Sequence, residues 1–254
     1  MLKRAFREQD HAFLAEGAQA VREALASSPS VVRELFVTAP AKQRYPELVA
    51  AALAAGAVVH QASGRVLAEL SETVTPQGLV AVCAPIHVPI ESAVGPRLRL
   101  GVLLAAIRDP GNAGTVMRTA DAAGADLVAF SDTSVDPYNG KCVRASAGSL
   151  FHLPVAIGVG VADAISRLHA EGVQVLAADG AAPRDIDDLD RVGELAGPTV
   201  WVFGNEAWGL PTDLLQSVDH AVRVPIHGRA ESLNLAAAAA VCLYASARAQ
   251  RAAN

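Results

Sequence analysis

A chain of 254 residues, 52% of them hydrophobic, is long enough to bury a sizeable core as one large domain or two modest ones. Its opening residues, MLKRAFREQDHAFL, carry charge every few positions and lack the apolar stretch of a secretory leader. Its longest apolar runs, LGVLLAAI and LAAAAAVCLYA, fall well short of the roughly 20 residues that span a bilayer, so a cytoplasmic protein without membrane insertion is expected. The net charge of −5 argues, on average, against a phosphate-rich partner. The average hides its distribution: residues 1–89 hold 8 basic and 8 acidic residues, whereas 90–254 hold 13 and 18. Much of the excess acid falls in RDIDDLDRVGE, residues 184–194, which reads as a solvated loop and leaves local basic patches possible elsewhere.

In chain order, helical periodicity runs through residues 11–28, followed by an extended segment at 32–39 and a helix at 46–56. An extended 57–61, a helix over 64–72 and an extended 78–85 complete a compact α/β unit. The stretch IHVPIESAVGPRLR, residues 86–99, has two prolines, a glycine and no clear period, and reads as a linker. Alternation resumes with extended 98–107, a helix from about Asn112, extended 126–132 and a helix around 141–150. Extended 153–159, a helix over 161–172, then extended 173–180, 199–206 and 220–226 lead to an alanine-rich terminal helix. Near-continuous apolar strands separated by helices predict a mostly parallel sheet covered on both faces. The expected division is 1–89, a linker at 90–97, and 98–254.

Cys83, Cys142 and Cys242 have no C-x-x-C spacing, and the seven histidines no H-E-x-x-H pairing, so neither a disulfide framework nor a metal site is expected. Ligands in parallel sheets bind beyond the carboxyl ends of the strands, and three strand ends here carry glycine with polar groups: AIRDPGNAGTVMRTADAAGA, VFGNEAWGL and VPIHGRAESLNLAAAAA. Read singly, each has a structural explanation. Asn112 caps a helix and Arg118 is a surface cation, Glu206 is a loop carboxylate or a cap for the following turn, and Ser232 caps the terminal helix with Glu231 near the positive end of its dipole.

In combination and in this order they resemble the SpoU-TrmH branch of the SPOUT RNA methyltransferases. DPGNAGTVMRTADAAGA, FGNEAWGL and VPIHGRAESLNLAAAAAV are similar to that family's three motifs, and VRASAGSLFHLPV to the segment between the first and second. Residues 1–85 resemble the small ribosomal-protein-like RNA-binding domain that often precedes the catalytic one. The resemblance implies an α/β fold with a trefoil knot near the C-terminal end, a homodimer with its active site near the subunit interface, and S-adenosylmethionine as cofactor. The implied activity is methylation of a ribose 2′-hydroxyl, of ribosomal RNA ahead of transfer RNA.

The resemblance further implies that Asn112, Arg118, Glu206, Ser232 and Asn234 serve catalysis. Phe203, Gly204, Asn205, Ile226, Ser232, Leu233 and Leu235 hold the cofactor, Gly204 by leaving it room. Apart from the resemblance, Arg108, Lys141 and Arg144 are candidate RNA phosphate contacts, with solvated surface charges as the equal alternative. The family assigns deprotonation of the hydroxyl to the arginine at position 118. A guanidinium is effectively always protonated, so a phosphate clamp that favours alkoxide character is the expected role. Two other classes compete with this reading. A catalytically silent RNA-binding protein would have lost motif residues that are all present, and a dinucleotide-dependent oxidoreductase needs a G-x-G-x-x-G fingerprint that IRDPGNAGTV lacks.

Overall fold

The computed structural model describes residues 4–28, 30–71, 73 and 75–253. The chain forms two compact units, one of Met1–Ile86 with Asp136–His152 and one of His87–Val135 with Leu153–Asn254.

The first unit begins with α1 (Arg4–Asp10), β1 (Phe13–Glu16), α2 (Ala18–Ser27), β2 (Val32–Val37), α3 (Ala39–Arg44), α4 (Pro46–Ala54), β3 (Val58–Gln61), α5 (Gly64–Leu70) and β4 (Leu79–Cys83). Its sheet has the order β1-β4-β2-β3, with β4 antiparallel to both neighbours and β2 parallel to β3. The helix expected over 11–28 is divided. Residues 13–16 form β1, paired along its length with β4, and Gly17, at φ 91°, turns the chain into α2. Phe13, Leu14 and Ala15 are all buried, so local helical periodicity yields here to pairing in a sheet covered on both faces. The segment Asp136–His152 supplies α8 (Gly140–Ser146) and a single 3₁₀ turn, Ser149–Phe151. It is held by the Arg7 guanidinium, which donates to Asp136 Oδ2 at 2.6 Å, and by stacking of Tyr138 on Phe13 with ring centres 4.5 Å apart.

The second unit contains α6 (Ile90–Ala93), β5 (Leu100–Leu104), α7 (Pro110–Ala123), β6 (Leu127–Ser131), β7 (Val155–Val159), α9 (Val161–Ala170) and β8 (Gln174–Ala178). β9 (Arg184–Asp185), α10 (Ile186–Arg191), β10 (Thr199–Phe203), α11 (Thr212–Ser217), β11 (His220–Arg223) and α12 (Leu235–Ala252) follow. Its seven strands have the order β7-β6-β5-β10-β8-β11-β9, and every neighbouring pair is parallel. The central strands β5, β6 and β10 are buried at every residue, as the unbroken apolar runs in the sequence required. Val94 and Leu98, in the stretch read as a linker, pack into this unit's core.

Residues 184–194 are not the solvated loop that their acid content suggested. Asp185 caps α10 by accepting from the Asp188 amide at 3.0 Å, and Ile186, Leu189 and Leu195 are buried. The three aliphatic positions anchor the segment, while Asp188 and Glu194 pair outward with Arg191 and Arg184. The alanine-rich α12 packs against α7. It buries Ala236, Ala239, Leu243, Ser246 and Ala247, where small side chains permit close approach. Two polar anchors fix its position: Trp201 Nε1 donates to Ser246 Oγ at 3.0 Å, and Gln250 Nε2 donates to the carbonyls of Arg99 and Gly197. All three cysteines are buried, and burial pushes the Cys83 thiol up to about 12.

Candidate active site

β5, β10, β8 and β11 lie side by side and parallel, so the loops leaving their carboxyl ends gather at one edge of the sheet, where open parallel sheets bind ligands.

The loop after β5 turns through Ala106 at φ 57°, a left-handed conformation that costs a non-glycine residue about 1–2 kcal/mol. Hydrogen bonds fix it there. The Ala106 amide donates to Ser131 Oγ at 3.0 Å, the Ile107 amide donates to Ser134 Oγ at 3.1 Å, and the Ser134 hydroxyl donates back to the Leu104 carbonyl. Asp109 then caps α7, accepting from the Asn112 amide at 2.7 Å. Asn112 is therefore not the cap that its position suggested. It sits inside the first turn, and its side chain is free to act elsewhere.

After β10, Asn205 and Gly209 form an antiparallel bridge, with backbone hydrogen bonds of 3.1 and 2.8 Å in the two directions. The buried Asn205 side chain accepts from the Ala207 amide at 2.9 Å and donates to the Ala106 carbonyl at 2.8 Å, tying the second loop to the first. A Cβ on Gly204 would lie 2.6 Å from the Gly209 carbonyl group and from Leu210 Cγ. The closed loop itself demands the glycine, which also lines the cavity described below.

After β11 the chain runs over residues 224–234 into α12. Asn234, not Ser232, is the cap, its Oδ1 accepting from the Ala236 amide at 2.9 Å. Ser232 stands two residues further out and is exposed, beyond the reach of the first-turn amides. Between Ile226 and Leu233 no backbone group hydrogen-bonds to another described residue, so the donors and acceptors of this strip are free for a ligand.

The three loops meet at Asn112. Its Nδ2 donates to Glu206 Oε1 at 3.0 Å, and its Oδ1 accepts from Asn234 Nδ2 at 3.1 Å. Beside this cluster lies a cavity of about 440 Å³, within the usual range for small-molecule sites. Phe203, Leu210, Val222, Ile226, Leu233 and Leu235 give it apolar walls, and Gly204, Asn205 and Ser232 also line it. The charged residues on its lining are Asp179, Glu206 and Glu231, all carboxylates.

Asn112, Glu206, Ser232 and Asn234 are thus brought together with every residue expected around the cofactor. Arg118 is not. It lies on the exposed face of α7, outside the cavity lining, with no hydrogen bond or ion pair to another described residue. Six residues at about 100° each carry it some 120° around the helix from Asn112. Arg108 is exposed just before α7. Lys141 and Arg144 lie on α8 of the other unit, where Arg144 pairs with Glu16 at 3.3 Å. Sequence reasoning missed Asp109 and Asp179. An Asp-Pro pair opening a helix marked the first as a cap, and the second lies at the end of a predicted central strand.

Residues 99–244 match the model of the SpoU rRNA Methylase family, and residues 14–89 match the model for RNA 2'-O ribose methyltransferase substrate binding. The chain belongs to the SpoU rRNA methylase family. Within it, this chain is 36% identical over 241 residues to 23S rRNA (guanosine(2553)-2'-O)-methyltransferase RlmP of Bacillus subtilis (strain 168), covering 94% of this chain and 89% of that protein. Its fold is similar to that of an AdoMet-bound rRNA methyltransferase from Sinorhizobium meliloti, with a TM-score of 0.85 and 32% identity over 97% of this chain and 91% of the other. The SpoU methyltransferase AviRb from Streptomyces viridochromogenes, solved in complex with AdoMet, gives a TM-score of 0.83 and 29% identity over 99% and 95% of the two chains. All three motif segments fall inside the first family match, and the expected parallel α/β architecture with a small N-terminal α/β unit is the fold these SpoU structures share.

Gly204→Ala is expected to open the Asn205–Gly209 loop, because the added methyl meets backbone that cannot step aside. Overpacking of this kind costs about 1–3 kcal/mol. A lowered thermal midpoint together with at least a tenfold loss of S-adenosylmethionine affinity by calorimetry is the expected result.

Proposed function

We propose that this SpoU-family protein is an S-adenosylmethionine-dependent methyltransferase acting on a ribose 2′-hydroxyl of ribosomal RNA. The observation that carries this reading is the Asn112–Glu206–Asn234 cluster on the lip of the cavity. The residues fit the cofactor. Adenine takes an apolar slot with backbone hydrogen bonds, which Phe203, Leu210, Ile226, Leu233 and Leu235 and the unspent backbone of residues 226–233 offer. S-adenosylmethionine has a net positive charge, which suits a lining whose charged groups are all carboxylates. When bound, the cofactor supplies a sulfonium methyl that passes to the ribose oxygen, leaving a neutral thioether and releasing the hydroxyl proton to solvent.

The protein's part is to hold and orient, and alignment of this kind is worth roughly 7–11 kcal/mol. Asn112, tied to Glu206 and Asn234, presents amide and carboxylate groups to the ribose, and Ser232 shapes the cofactor strip. Arg118, exposed and unpaired among the described residues, grips a backbone phosphate beside the target and favours negative charge on the attacking oxygen. Arg108, Lys141 and Arg144 add phosphate contacts, and the 1–89 segment serves as the RNA-binding domain ahead of a catalytic 98–254. A homodimer working in the cytoplasm is part of this reading. Its support is the outward stripe of α12, where Ala237, Val241, Tyr244 and Arg248 are exposed at helical spacing. A trefoil knot is a further part. It is supported by the sheet order, in which β10 sits between β5 and β8 while α12 packs back on α7.

The test is transfer of labelled methyl from S-adenosylmethionine to unmodified ribosomal and transfer RNA, with the product nucleotide mapped by resistance to alkaline cleavage. Label on ribosomal RNA at a 2′-oxygen is expected. Label confined to transfer RNA moves the substrate, and RNA binding without cofactor binding makes the protein a silent member of the fold. Arg118→Lys is expected to lower turnover about a hundredfold, in the range of a lost electrostatic stabiliser, with cofactor affinity unchanged. Near-normal turnover would remove the bidentate phosphate grip.

A further inference from the structure

The chain has two tryptophans, and their surroundings are opposite. Trp201 is fully buried in β10 with its indole N–H bonded to Ser246. Trp208 is 62% exposed and makes no hydrogen bond or ring contact with another described residue. Leaving so large an apolar ring in water forgoes the stabilisation its burial would bring.

The ring is exposed on a rigid support. Its loop is closed by the two-way Asn205–Gly209 backbone bridge and pinned from below by the Asn205 side chain on Ala106. The cost of ordering the ring's platform has thus been met before anything binds. Its position relative to the site is defined by its neighbours. Glu206 and Gly209 line the cavity, whereas Ala207 and Trp208 do not. The indole therefore stands outside the cofactor cavity, two residues from the carboxylate that holds Asn112, so their Cα atoms are at most roughly 7 Å apart. In a nucleotide the base is joined to the carbon next to the one that bears the 2′-hydroxyl, so a ribose presented to Asn112 and Glu206 brings its base, or the adjacent one, within range of this ring.

We infer that Trp208 is a stacking platform that seats a base of the RNA substrate over the rim of the site. The inference rests on the RNA 2′-O-methyltransferase reading. Stacking is compatible with the electrostatics of the adjoining cavity, whose charged lining groups are carboxylates, because a neutral ring binds a base without phosphate attraction. A flat ring binds any base through its π-face. The platform positions the nucleotide without selecting its identity.

The test uses the full chain with the ribosomal RNA transcript that the wild type methylates. Because Trp201 is buried, acrylamide quenching of tryptophan emission reports Trp208. RNA is expected to shield or quench that emission in the wild type and to leave Trp208→Phe emission unchanged. Trp208→Ala is expected to raise KM for RNA about tenfold, with kcat and S-adenosylmethionine affinity within twofold, and Trp208→Phe to recover most of the loss. An unchanged KM in Trp208→Ala, with a normal melting profile, overturns the proposal, as does wild-type emission indifferent to RNA. So does emission already shielded without RNA, or conversion of a wild-type dimer to monomer by Trp208→Ala, either of which assigns the ring to a protein contact. A wild type that methylates no RNA removes the enzymatic reading and the platform together, an outcome distinct from each of these.

Discussion

The site depends on the transfer of one capping duty. Asp109 accepts the amide of Asn112, and because the helix end is thereby satisfied, the Asn112 side chain can reach across to two other loops. An amide group is suited to that position. Its nitrogen donates to Glu206 while its oxygen accepts from Asn234, so both neighbours are satisfied by one planar group in one orientation. Asn234 performs a similar double task, capping α12 with its oxygen while its nitrogen serves the cluster. Three segments separated by 94 and 122 positions in sequence are held in register by two hydrogen bonds, and the carboxyl ends of parallel strands bring them within reach.

Everything beneath that cluster keeps it from shifting. The left-handed turn at Ala106 is bound on its amide by Ser131 and on its carbonyl by Asn205, so the first loop cannot relax without breaking the second. Asn205, in turn, closes the loop that carries Glu206 on one side and Trp208 on the other. Gly204 is the point at which this loop doubles back tightly enough to exclude even a methyl group. The strip from Ile226 to Leu233 has its backbone groups unspent. The scaffold is thus rigid where the ribose would be aligned and open in hydrogen bonding where a cofactor would lie.

Much of this was legible in the sequence. Unbroken apolar runs such as LGVLL and TVWVF located the central strands, and polar groups with glycine directly after them located the loops. What failed did so where tertiary contacts outweigh local pattern. Residues 13–16 carry helical periodicity but pair with β4, which no local window contains. The acidic run at 184–194 hid Ile186 and Leu189, whose burial, with that of Leu195 just beyond it, makes a strand and a helix of it. The caps were misplaced for a subtler reason. Asp109, Asn112, Ser232 and Asn234 are all competent caps, and choosing among them needs the cross-loop hydrogen bonds that only the fold supplies. The role of Gly204 was invisible for the same reason, since its constraint comes from Gly209 and Leu210 folding back upon it.

The central claim is that Asn112 organises the ribose side of the site and leaves the cofactor side intact. Single-turnover methyl transfer by Asn112→Ala, at saturating RNA and S-adenosylmethionine, addresses it most directly when paired with calorimetric cofactor binding by the same variant. The account predicts a rate lowered about a hundredfold or more, the scale of one lost preorganised donor, with cofactor affinity within a few fold of the wild type. A rate close to the wild type, or a cofactor affinity that falls in step with the rate, would contradict it.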